Sequence, residues 1–502
     1  MSEQIKIGAF IRNLREQKGM TQGALAEAMG TSQSAVARME AGKQNFTTKE
    51  LAKLSEALER RIMTLPESTD FRIEGGRKLS GSITSNYSKN GSVVLLCAAL
   101  LNRGKTTLNG ISRIEEVNRL IEILASIGVA VRWVGKNSVE ITPPKKFSLK
   151  SLDIAAAARV RSSLMLIGPL VHLVPAFDLP HAGGCKMGNR TIAAHRYGLE
   201  ELGVTIKTLE DHYRVTTKKL HAADVVMYEA GDTAANNILM ASALIPGVTT
   251  IRFAPPNYQV QELCFFLEKL GVKIEGIGTT TLVVHGVSSI DKAIEYHNSE
   301  DPIESMMFIA AAIVTQSTLV VTRCPIDFLS VELLKLKKMG QKFKISKTYL
   351  AENGHTKLVD ITITPSRLVA PLDKIHSLPY PGINTDNLPF FVPIATLAKG
   401  TTLIHDWMWE NRAIYFTELN RLGARVDLAD PHRVFVTGPS KLRAAQIVCP
   451  PALRPAMIIL IGMLAAEGTS YLRNVYSIAR GYEEIAERLN TIGAKIEVLK
   501  GI

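Results

Sequence analysis

One phrase recurs six times between Phe71 and Ile502 of this 502-residue chain, and it restricts the fold more than anything else in the sequence. An apolar-faced helix end is followed by glycine and then by alternating strand residues. The copies are LASIGVAVRW from Leu124, LEELGVTIKT from Leu199, LEKLGVKIEG from Leu267, LKKMGQKFKI from Leu336, LNRLGARVDL from Leu419 and LNTIGAKIEV from Leu489. Their glycines, Gly128, Gly203, Gly271, Gly340, Gly423 and Gly493, are 75, 68, 69, 83 and 70 residues apart. Each stands where a helix must stop in a left-handed cap before a strand begins. Upstream of most copies lies a Thr-rich strand: TTLNGI, TTIRFA, STLVVT, TTLIHD or TSYLRN. Each unit therefore reads as strand, helix, strand, helix, with further strand. Six units exceed one core, so two globules of three units each are predicted, with a ligand cleft between them.

Composition narrows the function classes. A chain that is 46% hydrophobic and 21% charged can bury large cores. The formal net charge is +12, yet residues 1–66 hold ten Lys/Arg against seven Asp/Glu, which leaves most of the excess in the larger part. DNA accounts for only a share of it, and anionic small molecules such as phosphates are expected partners too. Cys97, Cys185, Cys264, Cys324 and Cys449 show no zinc or disulfide spacing, which fits a reducing cytoplasm. The start, MSEQIKIGAF, has no signal-peptide pattern. Apolar runs such as Met457 to Ala466 fall short of the roughly 20 residues that span a bilayer, so no membrane anchor is expected.

The first 66 residues read as a separate all-α module. A helix is predicted over Gly8 to Lys18, with Phe10, Ile11 and Leu14 inward. Thr21 caps a second helix from Gln22 to Met29, broken by Gly30. Thr31 or Ser32 caps a third, running to about Ala41 and ended by Gly42. Leu25, Ala26, Met29, Val36 and Met39 bring the last two together as a helix-turn-helix. The stretch LAEAMGTSQSAVARMEAGK resembles the Cro/C1-type repressor family over almost all of residues 7–65. That resemblance implies a third helix in the major groove of duplex DNA. Gln33, Ser34 and Arg38 would meet base edges, Gln22 and Lys43 would lie near phosphates, and a homodimer is expected. Pro66 to Asp70 (PESTD) reads as a linker, with residues 67–70 outside both modules.

A glycine-rich stretch at Leu179 to Arg190, LPHAGGCKMGNR, sets Cys185 behind Gly183 and Gly184 and ahead of Lys186 and Arg190. A cysteine in such a turn is ordinarily inert, although a thiol among cations has its thiolate favoured. Other motifs give it a context: SKNGSVVLLCAALL from Ser88, VRSSLMLIGPLV from Val160, DPIESMMFIAAA from Asp301, NTD from Asn384, WENRAIYFTELNRLGA from Trp409 and ARGYEEIAERL from Ala479. In this order, with six repeated units, they resemble the enolpyruvyl transferase superfamily, and within it the branch acting on UDP-N-acetylglucosamine.

The resemblance implies an inside-out α/β fold behind the small helical module. One globule would span residues 89–260 and carry the Cys loop. The other would combine 71–88 with 261–502, the chain crossing near Lys89 and Gln261. It also implies transfer of the enolpyruvyl group of phosphoenolpyruvate to a UDP-sugar, with no metal or organic cofactor. Lys89, Arg190 and Arg412 would hold phosphoenolpyruvate, with Arg161 and Arg454 nearby, since a phosphate and a carboxylate need converging cations. Asn90 would orient the sugar nucleotide. Cys185 would protonate the methylene carbon, Asp301 would take the hydroxyl proton, and Asp386 would assist.

The acceptor set departs from the family pattern. Ala193 replaces an acidic residue expected to read uracil. Gly231, Asp232 and Thr233 replace a Ser-Val-Gly turn at the diphosphate, which adds a negative charge there. NTD replaces PTD, residues 387–390 lack the usual glutamines, and Ala479 replaces an aspartate. A different nucleotide acceptor therefore stays open, as does a transcription regulator whose transferase-like part senses a ligand.

Overall fold

The computed structural model describes residues 20–44, 69–183 and 191–500, together with residues 8, 11, 12, 14–16, 50, 53, 54, 57 and 58. The chain forms two compact units, divided at residue 69.

In the first unit, Thr21 accepts the Ala24 amide at 3.1 Å and caps the helix Gln22–Met29. Gly30 ends it with φ 61°. Ser32, the second of the two expected caps, starts the helix Gln33–Glu40 by accepting the Ala35 amide at 3.3 Å. Ile11, Leu14, Leu25, Met29, Val36, Met39, Leu54 and Leu58 form the core. Phe10 lies outside the described residues.

The second unit builds the six repeats. All six repeat glycines have positive φ, from 87° at Gly423 to 102° at Gly493, so each helix-to-strand turn uses the conformation glycine alone adopts cheaply. There are six sheets, of three to five strands. Within them lie buried helices: every residue of Pro302–Val314 is buried, as are most of Lys89–Ala98, Asp232–Ala243 and Leu453–Ala465. Three sheets surround one apolar core drawn from residues 93–296. Three surround another, drawn from 71–83 and 303–496 with Tyr258.

Two expected boundaries move. The crossing placed at Gln261 falls inside the helix Tyr258–Leu270, whose Val260, Leu263, Cys264, Phe266 and Leu267 belong to the first core. The chain instead returns at residues 297–302, beside the outgoing crossing. There Ser88 donates its amide to Ser299 O at 2.7 Å, and Asp301 donates to Asn86 O at 2.8 Å. The linker also ends sooner, because Thr69–Gly75 is already a strand. Asp70 is buried, paired with Arg473 at 2.6 Å, and accepts the Asn474 amide at 2.8 Å.

Candidate active site

The paired crossings place helix N-termini from both cores side by side. Ser88 caps Lys89–Ala98 by accepting the Gly91 amide at 2.9 Å, which makes Lys89 the first helical residue. Lys89 Nζ lies 4.0 Å from Glu116 Oε2, and Arg480 Nη2, from the second core, lies 3.4 Å from the same oxygen. Burial pushes the Glu116 carboxyl up, but Lys89 and Arg480 overcome this and hold it below its ordinary value. Thus one lysine and one arginine from different cores share a single half-buried acid.

Asp301 is the N-cap of Pro302–Val314. Its Oδ1 accepts the Ile303 amide at 2.8 Å, and its Oδ2 accepts the Lys89 amide at 3.2 Å. Burial raises its pKa, partly offset by Arg454 and these amides. Asp386 sits in a turn whose Asn384 side chain accepts the Asp386 amide at 2.8 Å. Its Oδ2 accepts Arg454 Nη2 at 2.9 Å, and its Oδ1 is 3.8 Å from Arg412 Nη1. Burial pushes this carboxyl up too, but Arg454 and Arg412 win and lower its pKa. Asn387, the next residue, is tied to Glu332 at 2.9 Å.

The arginines around Asp386 are built in. Arg412 has no exposed surface. Asp406 accepts from its Nε at 2.5 Å and its Nη2 at 2.9 Å, and Thr385 O accepts from Nη2 at 2.7 Å. Among the described residues its Nη1 has no hydrogen-bond partner. A buried donor left unsatisfied costs about 1–3 kcal/mol, so its retention points toward an anionic ligand. Arg454 donates to Tyr482 Oη at 2.7 Å and lies 5.4 Å from that ring's centre. Tyr258 accepts Asn90 Nδ2 at 2.7 Å. Burial, then Asp301 and Asp386, push the Tyr258 hydroxyl well above its ordinary range.

Lys89, Asn90, Asp301, Asp386, Arg412 and Arg454 are therefore linked through Tyr258, Arg454 and the Asp301 cap. Arg161 stands beside the Cys loop, where its Nη2 donates to Thr191 O at 3.0 Å. Cys185 and Arg190 lie outside the described residues. At the base of their loop, a Cβ on Gly183 would sit 1.9 Å from Ala158 O, so glycine is required there by close backbone approach. The other four cysteines are buried, and burial pushes their thiols up.

Sequence reasoning missed Glu116, Arg480 and Tyr258. Arg480 stood in a quoted motif and could have been found there. Glu116 could not, because its partners are distant in sequence. Asp232, half-buried at the start of Asp232–Ala243, accepts Asn257 Nδ2 at 2.8 Å and Gln259 Nε2 at 2.5 Å through one oxygen. Burial raises its pKa to about 6, against the two amides and with a small addition from Asp386.

In the first unit, Gln33, Ser34, Arg38 and Lys43 are exposed. Gln22 is tied into the fold. Its amide donates to Glu40 Oε2 at 2.8 Å, on the buried Arg15–Glu40 pair, so it ties the two helices together.

Residues 73–489 match the EPSP synthase (3-phosphoshikimate 1-carboxyvinyltransferase) family, and residues 11–64 match a helix-turn-helix family. The chain belongs to the enolpyruvyl transferase family of EPSP synthase type, with an N-terminal helix-turn-helix domain. Among curated relatives, the UDP-N-acetylglucosamine 1-carboxyvinyltransferase of Bradyrhizobium diazoefficiens is 35% identical over 85% of this chain and 97% of its own length. That of Treponema denticola is 32% identical over 86% and 99%. Of solved structures, the enolpyruvyl transferase NikO from Streptomyces tendae superposes with TM-score 0.73 at 24% identity, over 87% of this chain and all of NikO. EPSP synthase from Acinetobacter baumannii gives 0.66 at 18% over 86% and 100%. At these identities the two structures establish the fold. No described helix is long and apolar enough to cross a membrane.

Proposed function

We propose that this chain transfers the enolpyruvyl group of phosphoenolpyruvate to the 3-hydroxyl of UDP-N-acetylglucosamine, releasing phosphate. The hydroxyl oxygen bonds to C2 of the enol while a proton goes to the methylene carbon. The adduct then loses phosphate and one methyl proton, which restores the double bond. Lys89, Arg190 and Arg412, with Arg161 and Arg454, hold the phosphate and carboxylate, and Asn90 orients the sugar. Cys185 delivers the carbon proton. Asp301 and Asp386 share the hydroxyl proton, and Asp386 is the better placed, since both oxygens of Asp301 already accept backbone amides.

One observation carries the reading: Arg412 is fully buried, and its Nη1, 3.8 Å from Asp386, makes no hydrogen bond among the described residues, in a chain 35% identical to a named transferase. The test is phosphate release from phosphoenolpyruvate with UDP-N-acetylglucosamine and a panel of nucleotides. Absence of turnover with every acceptor, in folded protein, would sink the proposal. Fosfomycin, the family's epoxide inhibitor, should add to Cys185 by mass spectrometry.

The attached module is read as binding duplex DNA through Gln33, Ser34 and Arg38, with Lys43 at a phosphate, as a homodimer. A second reading concerns the acceptor. Asp232 places a carboxylate where a diphosphate is expected, which favours another nucleotide or a ligand-sensing role. Ligand binding that alters DNA affinity without turnover would select the sensing role.

A further inference from the structure

The described cysteines are buried, and the cavity beside Glu262 lies at the paired crossings, lined by Ser88, Ser299 and Glu300. One surface of the transferase portion has no role in the cleft. Residues 333–347 hold six lysines and no acid: Lys335, Lys337, Lys338, Lys342, Lys344 and Lys347. They run from the second half of the helix Ser330–Lys338, around the left-handed turn at Gly340, into the strand Lys342–Ile345. Four residues of extended chain reach at most about 14 Å, so the helix end and the strand start form one surface.

The strand sets two of these lysines on one face. Lys342 pairs with Thr364 and Lys344 with Thr362, while Phe343 and Ile345 oppose the buried Ile363 and Ile361. The outer face thus alternates ammonium groups with threonine hydroxyls, and the two lysines stand about 6.6 Å apart along the strand. All but Lys335 of the six are exposed. Among the described residues none of the six is in an ion pair. The acid continuing that face, Asp360, is already held by Tyr349 Oη at 2.7 Å and by the Arg323 amide at 3.1 Å. The positive field extends sideways: burial, then Lys374 and Lys335, hold His376 below its ordinary pKa.

Lysines on an edge strand also discourage sheet-to-sheet aggregation, and this strand is an edge. That explains Lys342 and Lys344. It does not explain a run of unpaired lysines on the preceding helix and in the following turn.

We infer that this lysine surface binds the phosphate backbone of duplex DNA without reading sequence, adding contacts to those of the helix-turn-helix. Charge complementarity and a DNA-type module in the same chain select the occupant. The inference rests on the proposed DNA reading only for that choice. Phosphate contacts show themselves as salt dependence, with a slope of about 0.9 per contact on B-DNA.

The test uses the full chain and a random-sequence 40-base-pair duplex, with affinity measured across a salt series. Replacing Lys338, Lys342, Lys344 and Lys347 together by alanine should lower the salt slope by about 3.6 and weaken binding at least ~10-fold at low salt. The fourfold arginine variant should restore both, and an unchanged melting temperature excludes misfolding. Arg38→Ala, in contrast, should leave the lysine-dependent slope in place, which separates this surface from the helix-turn-helix. An equal slope in wild-type and alanine proteins overturns the inference. So does absence of any duplex binding by wild type. Loss of binding only to phosphatidylserine vesicles, with DNA binding intact, assigns the surface to an anionic membrane and overturns it too.

Discussion

Asp301 and Asp386 flank the same arginine and end in opposite electrostatic states. Asp301 spends its oxygens on backbone amides, capping a fully buried helix and receiving Lys89, and burial leaves its pKa raised. Asp386, half-buried, faces two guanidinium groups in a turn, and they lower its pKa against the effect of burial. The local partner decides the outcome. An acid holding a helix start is first a structural part, while one held only by side chains stays available for chemistry.

The largest way to break the contrast is to remove the shared arginine. Arg454→Leu leaves two buried carboxylates short of a cation and should cost about 3–5 kcal/mol by denaturant unfolding, with turnover lost. Next, Asp386→Asn should lower kcat by about 10²–10⁴, and also lower the melting temperature at neutral pH because Arg454 and Arg412 lose their anion. A larger kcat loss in Asp301→Asn would reverse the assignment of the two acids. Third, Asp301→Ala should cost about 1 kcal/mol through the lost cap, and Asp301→Asn should recover most of it.

The smallest test is stability against pH. A carboxyl whose folded pKa is raised binds more protons when native, so its contribution is present at low pH and fades as pH rises through the folded value. Asp301 is of this kind. Asp386 is the reverse: its contribution is present above the unfolded pKa and is lost as pH falls. Both asparagine variants should therefore approach wild type at low pH, where each carboxyl is as neutral as the amide, and shift in opposite directions as pH rises: Asp301→Asn gains on wild type and Asp386→Asn falls behind it. A shift in the same direction for both variants would abolish the distinction.

How legible this was in the sequence depended on whether a feature is local. The six glycines were readable because a helix stop before a strand is written in adjacent residues, and all six carry positive φ. Thr21 and the Ser32 alternative were readable for the same reason. The return crossing was not. Tyr258–Leu270 is apolar enough to suit either core, and only packing assigns it to the first. Asp70 looked like linker because PESTD is polar, but Arg473, some four hundred residues on, makes it a buried strand partner. Lys89, Asp301, Arg412 and Arg454 came from resemblance, and what they touch was not legible. Glu116 escaped because its meaning lies in meeting Lys89 and Arg480 at once.

The strand Thr69–Gly75 has a consequence for how the protein is made. It lies between Gly468–Arg473 and Ile496–Lys500 in one sheet, pairing Phe71 with Leu472 and joining Glu74 to Lys495 at 2.9 Å. The first strand of the transferase portion therefore waits for the last segment to leave the ribosome. Until then both of its backbone edges are unpaired, and a nascent chain cut short of Gly468 offers them to other chains. Ribosome stalling or C-terminal truncation should thus release aggregation-prone protein.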